Sequence, residues 1–382
     1  MKVAYISPIF YSDVDLSYLN ELKKMADVYY FIPIGPLKKA AAVDIENINS
    51  EAGILPSSIY PELDKFGNLI DLNKTFIINR TAPHVSYPQN LRVYWQLYKF
   101  LRKEKFDVIH ITSSLLYTQF PLYFLHKKMV LSVHDPLPHV NVKSWRSDLQ
   151  LKIAYKLIKN LILFNSAQKE EFVKRYGLTK SNIFLSQLSA YTYLKAYDTS
   201  RPIVEGDYIL FFGWIRDGKG VENLLPAMVN VHKREPSLKL VVAGKGEYYF
   251  DKTHYDGLNY IHFINRFIPD FELANLIANS KFVVVPYTEA TQSGVIMSAY
   301  AFSKPVLATN VGGLREMVGN DEFGKVIEAG SVEAIEDGIL QMAGNNQNLL
   351  QKSENIRNSY FSGKNSWSAI AKEIYEKFYS IV

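Results

Sequence analysis

Two doubly wound α/β domains joined by a short linker are what this sequence predicts, on three observations. Short apolar runs rich in Val, Ile, Tyr and Phe alternate with segments of helical period in both halves, the pattern of parallel sheets flanked by helices. That alternation lapses over residues 186–206 (SQLSAYTYLKAYDTSRPIVEG), which reads as a linker. A chain of 382 residues is also too long for one ordinary core and suits two. The expected domains are residues 1–187 and 188–365, with residues 366–382 forming a helix that crosses back to the first domain.

In the first half, residues 3–7 (VAYIS) read as a buried strand, followed by a helix from about residue 16 to 26. Residues 28–32 (VYYFI) are the next strand, and residues 34–88 show no period that assigns an element. Residues 89–103 carry apolar side chains at helical spacing, residues 107–112 (DVIHIT) form a strand, and residues 130–134 form another that ends in His134-Asp135-Pro136. A helix over 149–160 precedes a strand over 161–165. Ser166 is placed to cap the following helix, which Tyr176-Gly177 ends. The second half opens with a strand at 208–213 (YILFFG), with further strands at 238–243, 260–263, 282–286 and 305–308. Helices are expected at 221–233, 270–279 and 293–302, and residues 366–379 (SWSAIAKEIYEKFY) are amphipathic.

Composition narrows the class. Hydrophobic residues make up 48% and charged residues 21%, as in folded globular chains. The absence of cysteine excludes disulfides and thiolate metal sites and suits a cytoplasmic setting. The longest uncharged stretch, residues 111–126, is interrupted by Gln119 and Pro121 and falls short of the ~20 apolar residues of a membrane span. Asp13 and Asp15 follow the first apolar run too closely for a signal peptide. Net charge is +5, but residues 1–190 hold 24 Lys and Arg against 16 Asp and Glu, while residues 191–382 hold 19 against 22. A basic first half suits an anionic partner such as a phosphorylated or lipid-linked acceptor or the inner membrane face, although a solvated basic surface explains it equally. The basic residues are dispersed and no nucleic-acid module occurs, so no nucleic-acid partner is expected.

Ligands of open α/β sheets bind at the carboxyl ends of strands, so the strand-to-helix turns are where chemistry is sought. The turn GWIRDGKG places Arg216 and Lys219 among glycines at a helix start, where helix amides and two fixed cations favour an anion. It is no Walker loop. Gly244-Lys245-Gly246-Glu247 alone reads as a plain strand-to-helix turn. Thr291-Gln292-Ser293-Gly294 precedes a helix, and an ordinary Ser or Thr N-cap is the simpler reading of that turn taken singly.

In combination these segments say more. FFGWIRDGKGVENLLPA, LVVAGKGE and ATQSGVIMSAYAFSKPVLATNVGGLREMV resemble the nucleotide-sugar domain of glycosyltransferase family 4, across essentially the whole second half. FDVIHITSS, VLSVHDPLPH and LILFNSAQKEEFVKRYG resemble the family's first domain more loosely. The resemblance implies a GT-B fold, in which two Rossmann-like domains face each other across a cleft. It implies retaining, metal-independent transfer of a sugar from a nucleotide-diphosphate sugar to a glycan or lipid-linked acceptor, without cofactor, in polysaccharide or glycoconjugate assembly. Lys219 falls on the lysine of the family's diphosphate-binding basic pair. The usual arginine position is Trp214 here; a subset of the family reads Gly-x-Ile-Arg before the lysine, which makes Arg216 the counterpart and Gly213 the glycine of that turn. Gly244 and Arg266-Phe267-Ile268 fall where the base is held, largely by backbone groups. Thr291, Gln292, Ser293 and Gly294 fall on the loop that meets phosphates and donor sugar, and His134 falls on a first-domain histidine facing that sugar.

Two departures stand out. The family's Glu-x7-Glu pair aligns with Ala290 and Ser298, leaving Glu289 one residue early, and the Gly-rich loop after the first strand is replaced by PIFYSDVDL over residues 8–16. A nucleotide-sugar epimerase on the same fold and, given the missing Glu pair, a non-catalytic nucleotide-sugar-binding subunit are the alternatives. Asp13-Val14-Asp15 has the spelling of a metal-binding Asp-x-Asp but reads as a solvated loop. His110, His134 and His139 with Asp135 lack zinc-type spacing, so no metal is expected. No nucleophile elbow with a Ser-His-Asp order occurs.

Overall fold

The computed structural model describes residues 1–36, 42–45, 50–115, 117–134, 136–137, 145–164, 166 and 168–382; Asp135, His139 and Asn165 lie outside them. The chain forms two compact units, Met1–Leu188 with Trp367–Val382, and Ser189–Ser366.

Unit 1 is built on eight strands: β1 (Lys2–Ile6), β2 (Asp27–Ile34), β3 (Gly53–Pro56), β4 (Thr75–Asn79), β5 (Val108–Ile111), β6 (Met129–Val133), β7 (Asn160–Leu163) and β8 (Asn182–Leu185). Their order is β3-β4-β2-β1-β5-β6-β7-β8, with every pairing parallel except β3 on β4. Helices α1 (Ser12–Leu22), α2 (Asn90–Glu104), α3 (Trp145–Leu157) and α4 (Lys169–Tyr176) connect them. In unit 2, β9 (Tyr208–Phe212), β10 (Lys239–Ala243), β11 (Ile261–Ile264), β12 (Val283–Val285), β13 (Val306–Thr309) and β14 (Gly324–Ile327) form one sheet ordered β11-β10-β9-β12-β13-β14, all parallel. Its helices are α5 (Val221–Arg234), α6 (Asp270–Asn279), α7 (Gly294–Ala301), α8 (Leu314–Met317), α9 (Val332–Ala343) and α10 (Asn346–Arg357). Central strands such as β6 (MVLSV) and β9 (YILFF) are buried along their whole length, which is why they read as continuous apolar runs and not as alternating ones.

Residues 34–88, which the sequence left unassigned, hold β3 and β4 together with short 3-10 turns. β4 is interior, with Ile77 and Ile78 fully buried, but no helix of regular period introduces it. Nor does Ser166 cap α4: the N-cap is Gln168, whose side chain makes no capping bond. Gly177 does close that helix, in the left-handed conformation. The segment read as a linker is packed into unit 2, where Thr192–Ala196 forms a 3-10 turn and the Tyr191 amide donates to the Met297 carbonyl at 3.1 Å.

The last helix, α11 (Trp367–Glu373), belongs to unit 1, where Trp367 packs edge-on against Tyr18 of α1. Beyond it, the Tyr379 hydroxyl meets His110 Nδ1 at 2.5 Å and the Tyr18 hydroxyl at 3.2 Å, while His110 Nε2 meets Ser132 Oγ at 2.7 Å. Both ring nitrogens of His110 are thus engaged within the core, and burial pushes its pKa down to about 3. His110 anchors the carboxyl-terminal segment and is not available as a ligand.

Asp15 corrects the solvated-loop reading of Asp13-Val14-Asp15. α1 begins at Ser12, four residues earlier than expected, and turns Asp15 into the core at 1% exposure. There its carboxylate accepts hydrogen bonds from the Tyr5 hydroxyl at 2.8 Å and the Tyr30 hydroxyl at 3.0 Å. Burial outweighs these bonds and raises the carboxyl to about 7. The folded protein therefore holds a proton that the unfolded chain has released, and stability from this group falls as pH rises from about 4 through 7. Denaturant unfolding of Asp15→Asn should lack this slope, with wild type losing on the order of 4 kcal/mol across that window relative to the variant.

Candidate functional site

In unit 2 the strand order reverses between β9 and β12, the position at which open α/β sheets form a ligand crevice. The loops leaving these two strands contain Gly213, Arg216 and Lys219 on one side and Glu289, Thr291, Gln292, Ser293 and Gly294 on the other. They are bonded to each other: the Thr288 amide donates to the Gly218 carbonyl at 3.1 Å, and that of Glu289 to the same oxygen at 3.4 Å. Gly220 stands at the crossing with φ 70°, and a Cβ there would lie 1.8 Å from the Pro286 carbonyl oxygen. No other residue allows the loops to approach this closely.

Lys219 is half-buried, with its ammonium 3.6 Å from the centroid of the Tyr287 ring. Such a cation–π contact fixes the ammonium without neutralising it. Burial, and secondly the neighbouring Arg216, lower the Lys219 pKa to about 8. Arg216 is exposed, and neither cation has a salt-bridge partner among the described residues. Tyr287 is buried, and burial raises its phenol to about 12. It escaped the sequence reading of the site, although its place directly after the FVVVP run was visible.

Helices α5 and α7 begin at these loops, and neither N-terminus is capped by a side chain. Gly220 has none to offer. Ser293 occupies the N-cap of α7, yet its hydroxyl makes no hydrogen bond of ordinary geometry among the described residues, although the Tyr287 hydroxyl is near enough to interact. The ordinary Ser cap that the sequence left open is therefore not what the turn forms, and the first amides of both helices lack a side-chain cap among the described residues. Thr291 is exposed, and its carbonyl accepts from the Gly313 amide at 3.2 Å. Ser298, at one family Glu position, donates its hydroxyl to the Gly294 carbonyl at 2.9 Å, inside α7. Glu289 is exposed beside Gly218.

The turn after β10 packs against the turn after β9. A Cβ on Gly244 would lie 1.7 Å from the Gly213 carbonyl oxygen, and the Ile215 amide donates to the Lys245 carbonyl at 3.1 Å. Asn265 clamps this turn: its side-chain amide donates to the Gly246 carbonyl at 3.0 Å and accepts from the Gly246 amide at 3.2 Å. Asn265 was missed because a single Asn after a strand carries no pattern. Arg266 pairs with buried Glu272 at 2.7 Å, so its guanidinium is held by the protein. Phe267 is half-exposed and Ile268 is buried.

In unit 1, His134 follows β6. Its ring stacks on Tyr11 at 4.0 Å and on Phe164 at 5.0 Å, and its Nε2 is buried with no partner among the described residues. Burial lowers its pKa to about 4, so it is neutral at pH 7. Unit 1 has its own reversal point, between β1 and β5, and a cavity of about 380 Å³ opens beside it, lined by Phe10, Arg80, His84, Ser113 and Gln119 among others. These residues come from segments far apart in the chain, which hid the cavity from the sequence.

Comparison with known proteins agrees with this arrangement. Residues 206–345 match the family model described as glycosyl transferases group 1, and residues 59–185 match that of glycosyltransferase family 4. An uncharacterized glycosyltransferase of Methanocaldococcus jannaschii is 30% identical over 181 residues, covering 45% of this chain and 49% of its own. YtcC of Bacillus subtilis, named as a glycosyltransferase, is 22% identical over 74% of each chain. The chain spans about half the length of the two archaeal relatives it matches. Among solved structures, Anabaena HepE in complex with UDP aligns over 100% of both chains with TM-score 0.67 at 16% identity. Sucrose-phosphate synthase from Thermosynechococcus elongatus does so with TM-score 0.64 at 17% identity. Two family models in the expected order give the chain a glycosyltransferase family 4 domain followed by a glycosyl transferases group 1 domain, on two parallel-stranded α/β units that share the GT-B fold of these structures.

Proposed function

We propose that the protein is a retaining glycosyltransferase that takes its sugar from a nucleotide-diphosphate donor bound at the reversal point of unit 2. One observation carries this reading. Arg216 and Lys219, unpaired with any carboxylate among the described residues, stand with two helix N-termini that lack side-chain caps on loops bonded to each other. That is a site for an anion of more than one charge. HepE has been solved with UDP and with UDP-glucose, which makes uridine nucleotides the first donors to test.

In transfer from such a donor, negative charge develops on the departing diphosphate beside an oxocarbenium-like sugar. Fixed donors aimed at that charge lower the barrier because they need no reorganisation as it forms. Lys219, Arg216 and the amides of Ser293 and Gly294 are assigned this work, without a metal. The acceptor hydroxyl then bonds to the anomeric carbon on the face the diphosphate leaves, and its proton passes to a phosphate oxygen of the leaving group. His134, neutral at pH 7, is assigned as a hydrogen-bonding group for the donor sugar, not as an acid. Gly213, Gly244 and the backbone of Arg266, Phe267 and Ile268 are assigned to the nucleotide, with Glu289, Thr291 and Gln292 on the phosphate and sugar side. The unit 1 cavity is assigned to the acceptor, a glycan or lipid-linked hydroxyl in polysaccharide or glycoconjugate assembly.

A thermal-shift panel of nucleoside diphosphates and their sugars tests the donor site. One base should stabilise the protein, by about 2.7 kcal/mol at a ligand concentration of about 100 Kd. If no nucleotide shifts the transition, the proposal fails. Incubation with UDP-GlcNAc alone separates transfer from epimerisation, since only an epimerase produces a new sugar nucleotide without acceptor. The epimerase reading draws on a likeness to the UDP-GlcNAc 2-epimerase of Neisseria meningitidis, at TM-score 0.58 and 14% identity.

A further inference from the structure

We propose that the aromatic face formed by α2 and the segment Tyr117–Lys128 docks unit 1 on an anionic phospholipid surface. Phe124, Phe120 and Trp95 are 62%, 49% and 40% exposed. Their rings nevertheless touch: Trp95 lies 6.3 Å from Phe124, Tyr98 lies 5.8 Å from it, and Phe120 lies 6.3 Å from it. Together they make one continuous aromatic surface from two segments about 25 residues apart in the chain. Leu91, Trp95, Tyr98 and Arg102 fall on one side of α2 at spacings of four, three and four, and Arg102 donates to the Tyr98 hydroxyl at 3.3 Å. The opposite side of the helix, Val93, Leu97 and Leu101, is buried in the core.

Charge selects the occupant. Between residues 85 and 130 stand seven Lys or Arg and two acidic residues, Glu104 and Asp107. Both acids are engaged by Lys2: its ammonium meets Glu104 at 2.8 Å, and its backbone amide donates to Asp107 at 2.6 Å. Arg92, Lys99, Arg102, Lys103 and Lys127 are exposed and have no salt-bridge partner among the described residues, while the Lys128 ammonium donates to the Phe106 carbonyl at 2.7 Å. A second copy of this face would set like charges against each other. A zwitterionic bilayer would use the rings and ignore the cations. An anionic bilayer uses both, with Trp, Tyr and Phe at headgroup level and Lys and Arg among the phosphates. No helix of the described residues is long and apolar enough to cross a membrane, and the contact proposed is one of surface attachment.

The test is co-sedimentation of the full chain with phosphatidylcholine vesicles, with and without phosphatidylglycerol. Binding should appear only with the anionic lipid and weaken as salt is raised. The exposed pair Trp95→Ala/Phe124→Ala should lower the partition coefficient at least about tenfold. Lys99→Ala/Lys127→Ala should lower it about thirtyfold. Far-ultraviolet circular dichroism and melting temperature, unchanged in both variants, establish that they fold. Equal binding to neutral vesicles, or undiminished binding of the aromatic variant, overturns the proposal. So does sedimentation of the free protein as a dimer that Phe124→Ala dissociates, because the face would then be a self-association surface.

Discussion

Lys219→Ala should lower turnover with the nucleotide-sugar donor at least ~10²-fold, the scale on which a single fixed donor to a developing oxyanion acts. The ammonium is held by the Tyr287 ring and not by a carboxylate, so its charge is available to a diphosphate. Uridine diphosphate should also stabilise the variant less than wild type in a thermal-shift assay, because the leaving group keeps the same charge. The lowered pKa adds a second signature. With the free ammonium titrating at about 8, binding above that pH requires the protein to take up a proton. Affinity for the diphosphate should then fall by up to about tenfold per pH unit, until the higher pKa of the complex is reached. Lys219→Arg keeps the charge at all these pH values and should flatten the dependence while retaining part of the affinity. A Lys219→Ala enzyme with near-normal turnover would remove the electrostatic account. A flat pH profile in wild type would contradict a half-buried ammonium with no salt-bridge partner among the described residues.

Gly220→Ala should destabilise unit 2 by roughly 2–5 kcal/mol and weaken nucleotide binding at the same time. Two costs add there. A left-handed backbone at φ 70° disfavours any residue with a Cβ, and this Cβ would fall 1.8 Å from the Pro286 carbonyl oxygen. The loops after β9 and β12 must separate to relieve the contact, which pulls Lys219 off Tyr287 and lengthens the bond from Thr288 to Gly218. Gly257→Ala is a useful control, since Gly257 is also left-handed at φ 89° but nothing lies within 4 Å of its Cβ position. Denaturant unfolding should show a loss near 1 kcal/mol for the control, with nucleotide binding intact. Equal losses in the two variants would mean that backbone conformation, and not the meeting of the loops, sets the effect.

The class of the fold was legible because buried parallel strands need apolar residues on both faces, and runs such as YILFF and MVLSV supply them. β3 and β4 were not legible, since short strands between 3-10 turns give no helical period to frame them. In the site, Arg216 and Lys219 were visible because glycines and cations at a helix start form a pattern by themselves. Tyr287 and Asn265 were not, because each acts on a partner from a different strand. Asp15 shows the reverse error: two acids near a turn read as solvated, and only the tyrosines of β1 and β2 give the second one a buried place.

The sequence by itself determined two α/β units, their order, and the turns that bear the charges, since these depend on local period and composition. Tertiary structure alone decided what those turns do. It held Lys219 on an aromatic ring with no salt-bridge partner among the described residues and left Ser293 an N-cap that does not cap. It also turned the Ser298 hydroxyl inward and bonded Arg266 to Glu272. Whether a polar group is free or satisfied depends on which atoms lie within about 3 Å of it, and that is set by the meeting of segments distant in the chain.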